Sequence, residues 1–420
     1  MRARVHYAWV VAAVGFVALV MSAGFRSVPG VLLVPLNQEF GWSHETIGLA
    51  VSLNLLCFGL GAPFAAAFVE RLGMRLVVSV ALAVIAVSSL LTLAMTEPWQ
   101  LFLLWGVVNG LATGAVSVPL AAIIANRWFV ERRGLVTGLL TASNASGQLV
   151  FLPLLAWLTG FDWRWAAALV AATAVVGVLP LVLAFMRDRP LDVGAKPYGA
   201  GEGWVEPPAA PPALGAVVDA LRVAARSRTF WLLAGTFFIC GATTNGLVST
   251  HLVPAAHDHG IAQVTAATLL ALIGGFDILG TVGSGWLTDR YDPRKLLLAY
   301  YGLRGAALLV LPFAFGSTYA ALFGFAVVYG LDWVATVPPT SALATAAFEA
   351  RAGVVFAWIF SAHQLGAAAA AWAAGLTRTE TGEYTLAFLG AGVLALVAAV
   401  AVLLVARAPR RPALEAPATA

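Results

Sequence analysis

The chain has 420 residues, 61% hydrophobic and 10% charged, with a formal net charge of +4 and a mean hydropathy of +0.89. These values exclude an ordinary soluble domain, in which about a quarter of residues are charged, and describe an integral membrane protein. Cys57 and Cys240 both fall inside apolar runs, which argues against a disulfide framework.

The apolar material comes in segments long enough for the roughly 20 residues that cross a bilayer core. Twelve helices are predicted, at 8–36, 46–69, 75–95, 98–126, 134–159, 165–186, 229–256, 264–288, 295–315, 318–346, 352–376 and 384–406. Most runs lack period-2 alternation, which disfavours a barrel. The first has no small-residue cleavage pattern and continues through Gly24, Arg26 and Pro29 to Asn37, so it reads as a span rather than a signal peptide.

Glycines recur every four residues at Gly106, Gly110 and Gly114 and cluster at Gly280, Gly283 and Gly285, a pattern that lets helix backbones approach. Pro29, Pro119, Pro153, Pro254, Pro338 and Pro339 lie within spans, where each removes a backbone donor and can bend the helix.

Between 187 and 228 runs the one long hydrophilic stretch, with Pro190, Pro197, Pro207, Pro208, Pro211 and Pro212, a composition that cannot build a packed core. It divides two six-helix bundles, 1–186 and 229–406, and a tail follows at 407–420. Inside the linker, Leu214, Val217, Val218 and Leu221 follow helical spacing beside Arg222, Arg226 and Arg228. This helix either lies on the inner membrane face or packs on the bundle.

The isoelectric point near 9.3 is not a nucleic-acid signal. With twelve spans, the loops on the far side hold only Arg164 and Arg378 as basic residues, and Arg26 and Arg304 are intramembrane; the rest of the 24 Lys and Arg lie on the side of the termini. That asymmetry predicts both termini in the cytoplasm, for a protein of the cell or inner membrane.

Two charged knots repeat half a chain apart: Glu70-Arg71-Leu72-Gly73-Met74-Arg75 and Asp289-Arg290-Tyr291-Asp292-Pro293-Arg294-Lys295. Each puts an acid at a helix C-terminus, where the macrodipole disfavours it, so a partner is needed. Arg71, Arg75, Arg290 and Arg294 can supply charge-assisted bonds, made in one conformation and broken in another. Taken singly, each knot is better read as a topogenic cluster that holds a short loop inside; two copies in matching halves shift the balance.

The knots resemble the signature between helices two and three, and again eight and nine, of the major facilitator superfamily, with Glu70 where that signature usually has Asp. The stretch Arg127-Trp128-Phe129-Val130-Glu131-Arg132-Arg133-Gly134-Leu135-Val136-Thr137-Gly138-Leu139 resembles the monocarboxylate and oxalate/formate porter branch, as does Pro35-Leu36-Asn37-Gln38-Glu39-Phe40-Gly41-Trp42-Ser43. The resemblance implies an all-α fold of twelve helices in two pseudo-symmetric halves. It also implies alternating-access transport of a small organic anion of the carboxylate class, by proton coupling or exchange, with the monomer as functional unit. It further aligns Arg26 with a substrate-handling basic residue on helix one, and Asp277 with a helix-eight acid usually followed four residues later by Arg. This chain has Thr281 there.

Arg26, Asp277, Arg304 and Asp332 are the charges deep in predicted spans, and each costs roughly 2.5–3.5 kcal/mol or more at the bilayer centre if it faces lipid. A guanidinium at Arg26 can grip a carboxylate through two parallel hydrogen bonds, or form a structural ion pair. Arg304 lies at equal depth with Asp277 across one turn and Asp332 across the next, so spacing cannot choose its partner, and these three are coupling or structural charges.

Asn144 and Gln148 share a face of helix five, either lining a cavity or bonding between helices. Asn245, His363 and Gln364 complete the candidate substrate-binding set, while His251, like His363, is also a packing candidate. His257, Asp258 and His259 lack a persuasive fourth ligand, and no metal is expected. No nucleophile or phosphate loop stands out, so neither an enzyme nor a cofactor is predicted. Proton-driven export of a hydrophobic metabolite or drug is the alternative within transport.

Overall fold

The computed structural model describes residues 6–42, 44–205 and 214–406. The middle of the linker, 206–213, and the tail, 407–420, lie outside the described residues.

Among the described residues twelve long helices cross the bundle. The first half holds α1 (Tyr7–Phe40), α2 (His44–Leu72), α3 (Met74–Leu91), α4 (Pro98–Trp128), α5 (Arg133–Thr159) and α6 (Trp163–Phe185). The second holds α7 (Arg228–Asp258), α8 (Gln263–Thr288), α9 (Pro293–Phe315), α10 in two pieces (Tyr319–Asp332 and Val337–Phe348), α11 (Ala352–Thr381) and α12 (Thr385–Ala401). Large apolar side chains such as Val176, Trp372 and Val400 stay exposed on outward faces, as lipid-facing residues do.

Helix ends follow local chemistry. Gly41 ends α1 with φ +69°, a left-handed value that glycine adopts without a Cβ penalty. Asp162 and Asp292 cap α6 and α9 by accepting the N–H groups of Arg164 and Arg294 at 2.8 and 3.0 Å.

The predicted close packing holds for most of the glycines. A Cβ on Gly110 or Gly114 would lie 2.8 Å from Asn54 O or 2.7 Å from Phe58 O of α2, so α4 and α2 touch backbone to backbone. Gly285 packs against Gly138 of α5, whereas Gly283 faces open space and plays no such part.

The linker departs from the expectation of an unstructured stretch. Asp188 accepts the Arg75 N–H at 2.8 Å, satisfying a donor in the first turn of α3. Tyr198 donates its N–H to Trp128 O and accepts from Val130 N–H, both at 2.8 Å, and its ring packs among Trp9 and Phe129. A few aromatic and capping anchors order what composition alone could not. The linker helix, Leu214–Ala225, buries Val217, Ala220 and Ala224 against α2 and α11, and Trp358 Nε1–H donates to Val217 O at 3.2 Å. One face of this helix thus packs on the bundle, and Val218 and Val223 lie exposed on the other.

The halves meet through α5 with α8 and α2 with α11. Near the face that carries both ends, Gly134 and Leu135 at the start of α5 donate their N–H groups to Asp289 at 2.7 and 2.9 Å. Asn126 reaches Thr345 at 3.0 Å, and Ser361 Oγ donates to Gly59 O at 2.7 Å. At the opposite face the described ion pairs, Glu39–Arg164 and Asp258–Arg378, stay within one half.

Candidate functional site

Two helices at corresponding places in the halves are broken, and proline is the shared cause. In α4 the helical run stops at Ala115 and resumes at Val118, with Pro119 in the first turn of the new segment. In α10 it stops at Asp332 and resumes at Val337, where Pro338 and Pro339 follow. Proline lacks the N–H that would bond four residues back and its ring crowds that carbonyl, so backbone groups at each break need other partners.

At the α10 break, side chains supply them. Arg304, fully buried on α9, donates Nε–H to Asp332 Oδ2 at 2.6 Å, and one Nη donates to the carbonyls of Asp332 and Trp333 at 2.6 and 3.0 Å. Its other Nη reaches Cys240 Sγ at 2.9 Å and Thr243 Oγ1 at 3.4 Å. Asp277 does not touch Arg304's guanidinium in any described hydrogen bond. Its Oδ1 accepts Thr281 Oγ1–H at 2.7 Å and the free Val334 N–H at 3.0 Å. Ser284 Oγ donates to Ala335 O at 2.5 Å, the carbonyl that Pro339 cannot serve. The guanidinium therefore caps the carbonyl end of the break and the carboxylate caps an amide, which suits the charge of each to the local dipoles. The acid left open by spacing is Asp332, because α10 turns its broken segment, and not only a side chain, toward α9.

At the α4 break a small cavity opens, lined by Ser22 and Ala23 of α1, Phe58 of α2, Val116, Ser117 and Val118 at the break, and Thr141, Ser143 and Asn144 of α5. Arg26 follows Ser22 by one turn on α1. The side chain of Arg26 lies outside the described residues.

The other predicted residues scatter. Gln148, one turn beyond Asn144, is exposed and does not line the cavity. Asn245 is half-buried in the π-wound stretch Ala242–Val248 of α7. His363 and Gln364 are adjacent on α11 but look opposite ways: the histidine ring lies 4.8 Å from Phe237 of α7, and Gln364 abuts Gly59 of α2. His251 bonds Ala371 O at 2.9 Å, joining α7 to α11. Asp258 is bound by Arg378 at 2.7 Å, a hydrogen bond that holds its carboxyl below the usual range.

The knots also differ from expectation. Glu70 pairs with Arg127 at 2.6 Å rather than with Arg71 or Arg75, because the end of α4 lies beside it; Arg71 is exposed, and Arg75 donates to Leu183 O. Arg290 lies 3.9 Å over the Trp286 ring, and Arg294 binds Asp292 at 2.7 Å. Asp289 takes its compensation from the α5 amides, not from an arginine. Sequence reasoning missed Ser117, Thr141 and Ser143; the signal available was Pro119 two residues beyond Ser117, and the four- and three-residue spacing of Thr137, Thr141 and Asn144 on one helix face.

The sequence profile of the Major Facilitator Superfamily matches residues 15–371 and 242–420. The chain is 24% identical over 399 residues to the uncharacterized MFS-type transporter YcxA of Bacillus subtilis (strain 168), covering 92% of each. It is 26% identical over 396 residues to monocarboxylate transporter 13 of Rattus norvegicus, covering 92% of this chain and 86% of that one. With monocarboxylate transporter 11 of Homo sapiens it shares 29% over 405 residues, covering 93% and 81%. Among solved structures, the human organic anion transporter MFSD10 superposes with a TM-score of 0.72 at 18% identity, covering 94% of this chain and 99% of that one. The Escherichia coli fucose:proton symporter FucP gives 0.67 at 16%, covering 94% and 98%.

Proposed function

Because the chain belongs to the Major Facilitator Superfamily, and is thus an integral membrane transporter, we propose that it carries a small organic anion of the monocarboxylate type by alternating access, driven by protons or exchange. The observation that carries this reading is the cavity at the broken α4, one turn of α1 from Arg26. Discontinuous helices at matching places in two halves mark binding sites in secondary transporters. Here the break in the second half is filled by Arg304 and Asp277, and the break in the first half borders a small cavity lined among the described residues by hydroxyl groups and Asn144. The names of the monocarboxylate relatives favour the same class.

In this reading Arg26 grips the carboxylate with its planar fork and Asn144 contributes an amide beside it. The excess of basic residues on the terminus-bearing side favours the cytoplasm for that side. The contacts of Asp289 with α5 and of Asn126 with Thr345 then close the inner face, and the cavity is loaded from outside. Transport requires those contacts to part while others form at the opposite face.

The test is the affinity of the purified protein for a monocarboxylate. Arg26→Ala should weaken binding at least tenfold, about 1.4 kcal/mol, and Arg26→Lys less, because charge remains while the fork is lost. Unchanged affinity in a folded Arg26→Ala protein would make Arg26 structural. A second reading, export of a hydrophobic compound, draws on a small apolar cavity lined by Leu32, Leu36, Ile47 and Trp105; saturable binding of apolar compounds with none of any carboxylate would favour it.

A further inference from the structure

The α4 cavity is rich in hydroxyl groups, and their protons are already committed. Ser117 Oγ–H donates to Gly114 O at 2.6 Å, Thr141 Oγ1–H to Thr137 O at 2.7 Å, and Ser143 Oγ–H to Leu140 O. Ser22 Oγ–H is directed at Thr113 O at 3.5 Å. A hydroxyl has one proton and two lone pairs. With the proton turned to its own helix or a neighbour's, each of these oxygens presents its lone pairs as an acceptor to whatever occupies the cavity.

Acceptors constrain the occupant. A carboxylate is itself acceptor-only and gains nothing from them, and an alkyl chain laid against them leaves lone pairs dry. An ammonium would donate, but the described residues lining the cavity include no Asp or Glu to balance it, so its desolvation would go uncompensated. Neutral O–H groups meet the requirement: each donates one hydrogen bond and brings no charge.

We infer that the carried anion is a polyhydroxylated carboxylate, whose acid group is held toward Arg26 and whose hydroxyls donate to Ser117, Thr141 and Ser143. The inference rests on the reading of this cavity as the anion site. A site that offers hydrogen bonds to a substrate hydroxyl discriminates against the analogue lacking it, because its own polar groups are then left unpaired.

The experiment is a calorimetric titration of the full-length purified protein with four probes of equal carbon count: butyrate, 3-hydroxybutyrate, 2,3,4-trihydroxybutyrate and the uncharged polyol erythritol. Affinity should rise in that order among the acids, by about fivefold for each hydroxyl engaged. Thr141→Val keeps the shape and removes the acceptor, so it should narrow the gap between the trihydroxy acid and butyrate by about fivefold. Ser117→Ala provides the same comparison on α4. Equal affinity for all three acids overturns the hydroxyl inference and leaves the anion reading standing. Erythritol binding as tightly as the trihydroxy acid leaves the hydroxyl inference standing and removes the anion reading. Binding of none of the four overturns both.

Discussion

Arg304 has no exposed surface, and its fork is divided between one carboxylate and backbone carbonyls. Arg304→Ala would leave Asp332 buried with its charge unbalanced, a loss of about 3–5 kcal/mol. Adding Asp332→Asn should recover part of that stability, whereas Asp277→Asn should recover none, because Asp277 answers to Thr281 and Val334. Unfolding midpoints of the three variants in detergent decide the matter; rescue by Asp277→Asn would refute the assignment. At the far face, Arg164 binds Glu39 at 2.6 Å and that hydrogen bond holds the Glu39 carboxyl below its usual range. A group with a lowered folded pKa stabilises above its unfolded pKa and loses that contribution as pH falls through the folded one. Stability should therefore decline on acidification below the ordinary carboxylate range, and Glu39→Gln should flatten that part of the thermal-stability profile.

The linker helix offers a contrast between its two faces. Val217 is fully buried toward α2 and α11, whereas Val218 is 40% exposed. Val217→Asp would bury a charge without a partner and should lower stability by about 2 kcal/mol or more, with Val218→Asp within about 0.5 kcal/mol of wild type. Equal losses at the two positions would mean that both faces are in apolar surroundings, as for a helix sunk into the membrane. The breaks in α4 and α10 show the same logic in two outcomes: proline frees backbone groups, and either neighbouring charges take them or a cavity remains.

Across the whole molecule, two-sided access depends on contacts that can be exchanged. Asp289 caps the first amides of α5 from the other half, and Arg132, which precedes that helix, adopts φ +59° with no side-chain cap of its own. Losing such a cap costs about 1 kcal/mol. Asp289→Ala should thus shift the balance of conformers about fivefold toward opening of the terminus-bearing face, while the folded fraction stays near wild type. Spin-label distances between the halves at that face would read the shift, and an unchanged distribution would deny Asp289 a gating role.

Twelve spans, the hydrophilic divide between two halves and the superfamily resemblance were legible in the sequence, because membrane crossing is a matter of local length and apolarity and the charged knots repeat. The intramembrane charges were legible too, since an ionisable group in lipid demands an explanation wherever it sits. Their pairing was not: Asp277 and Asp332 lie at the same predicted depth as Arg304, and only the packing of α8, α9 and α10 decides which carboxylate meets the guanidinium and which meets a freed amide. The same holds for the cavity. Pro119 announced a break in α4, but whether side chains fill a break or leave it open depends on which residues of α1, α2 and α5 converge there, and convergence of distant segments is a property of the tertiary structure alone.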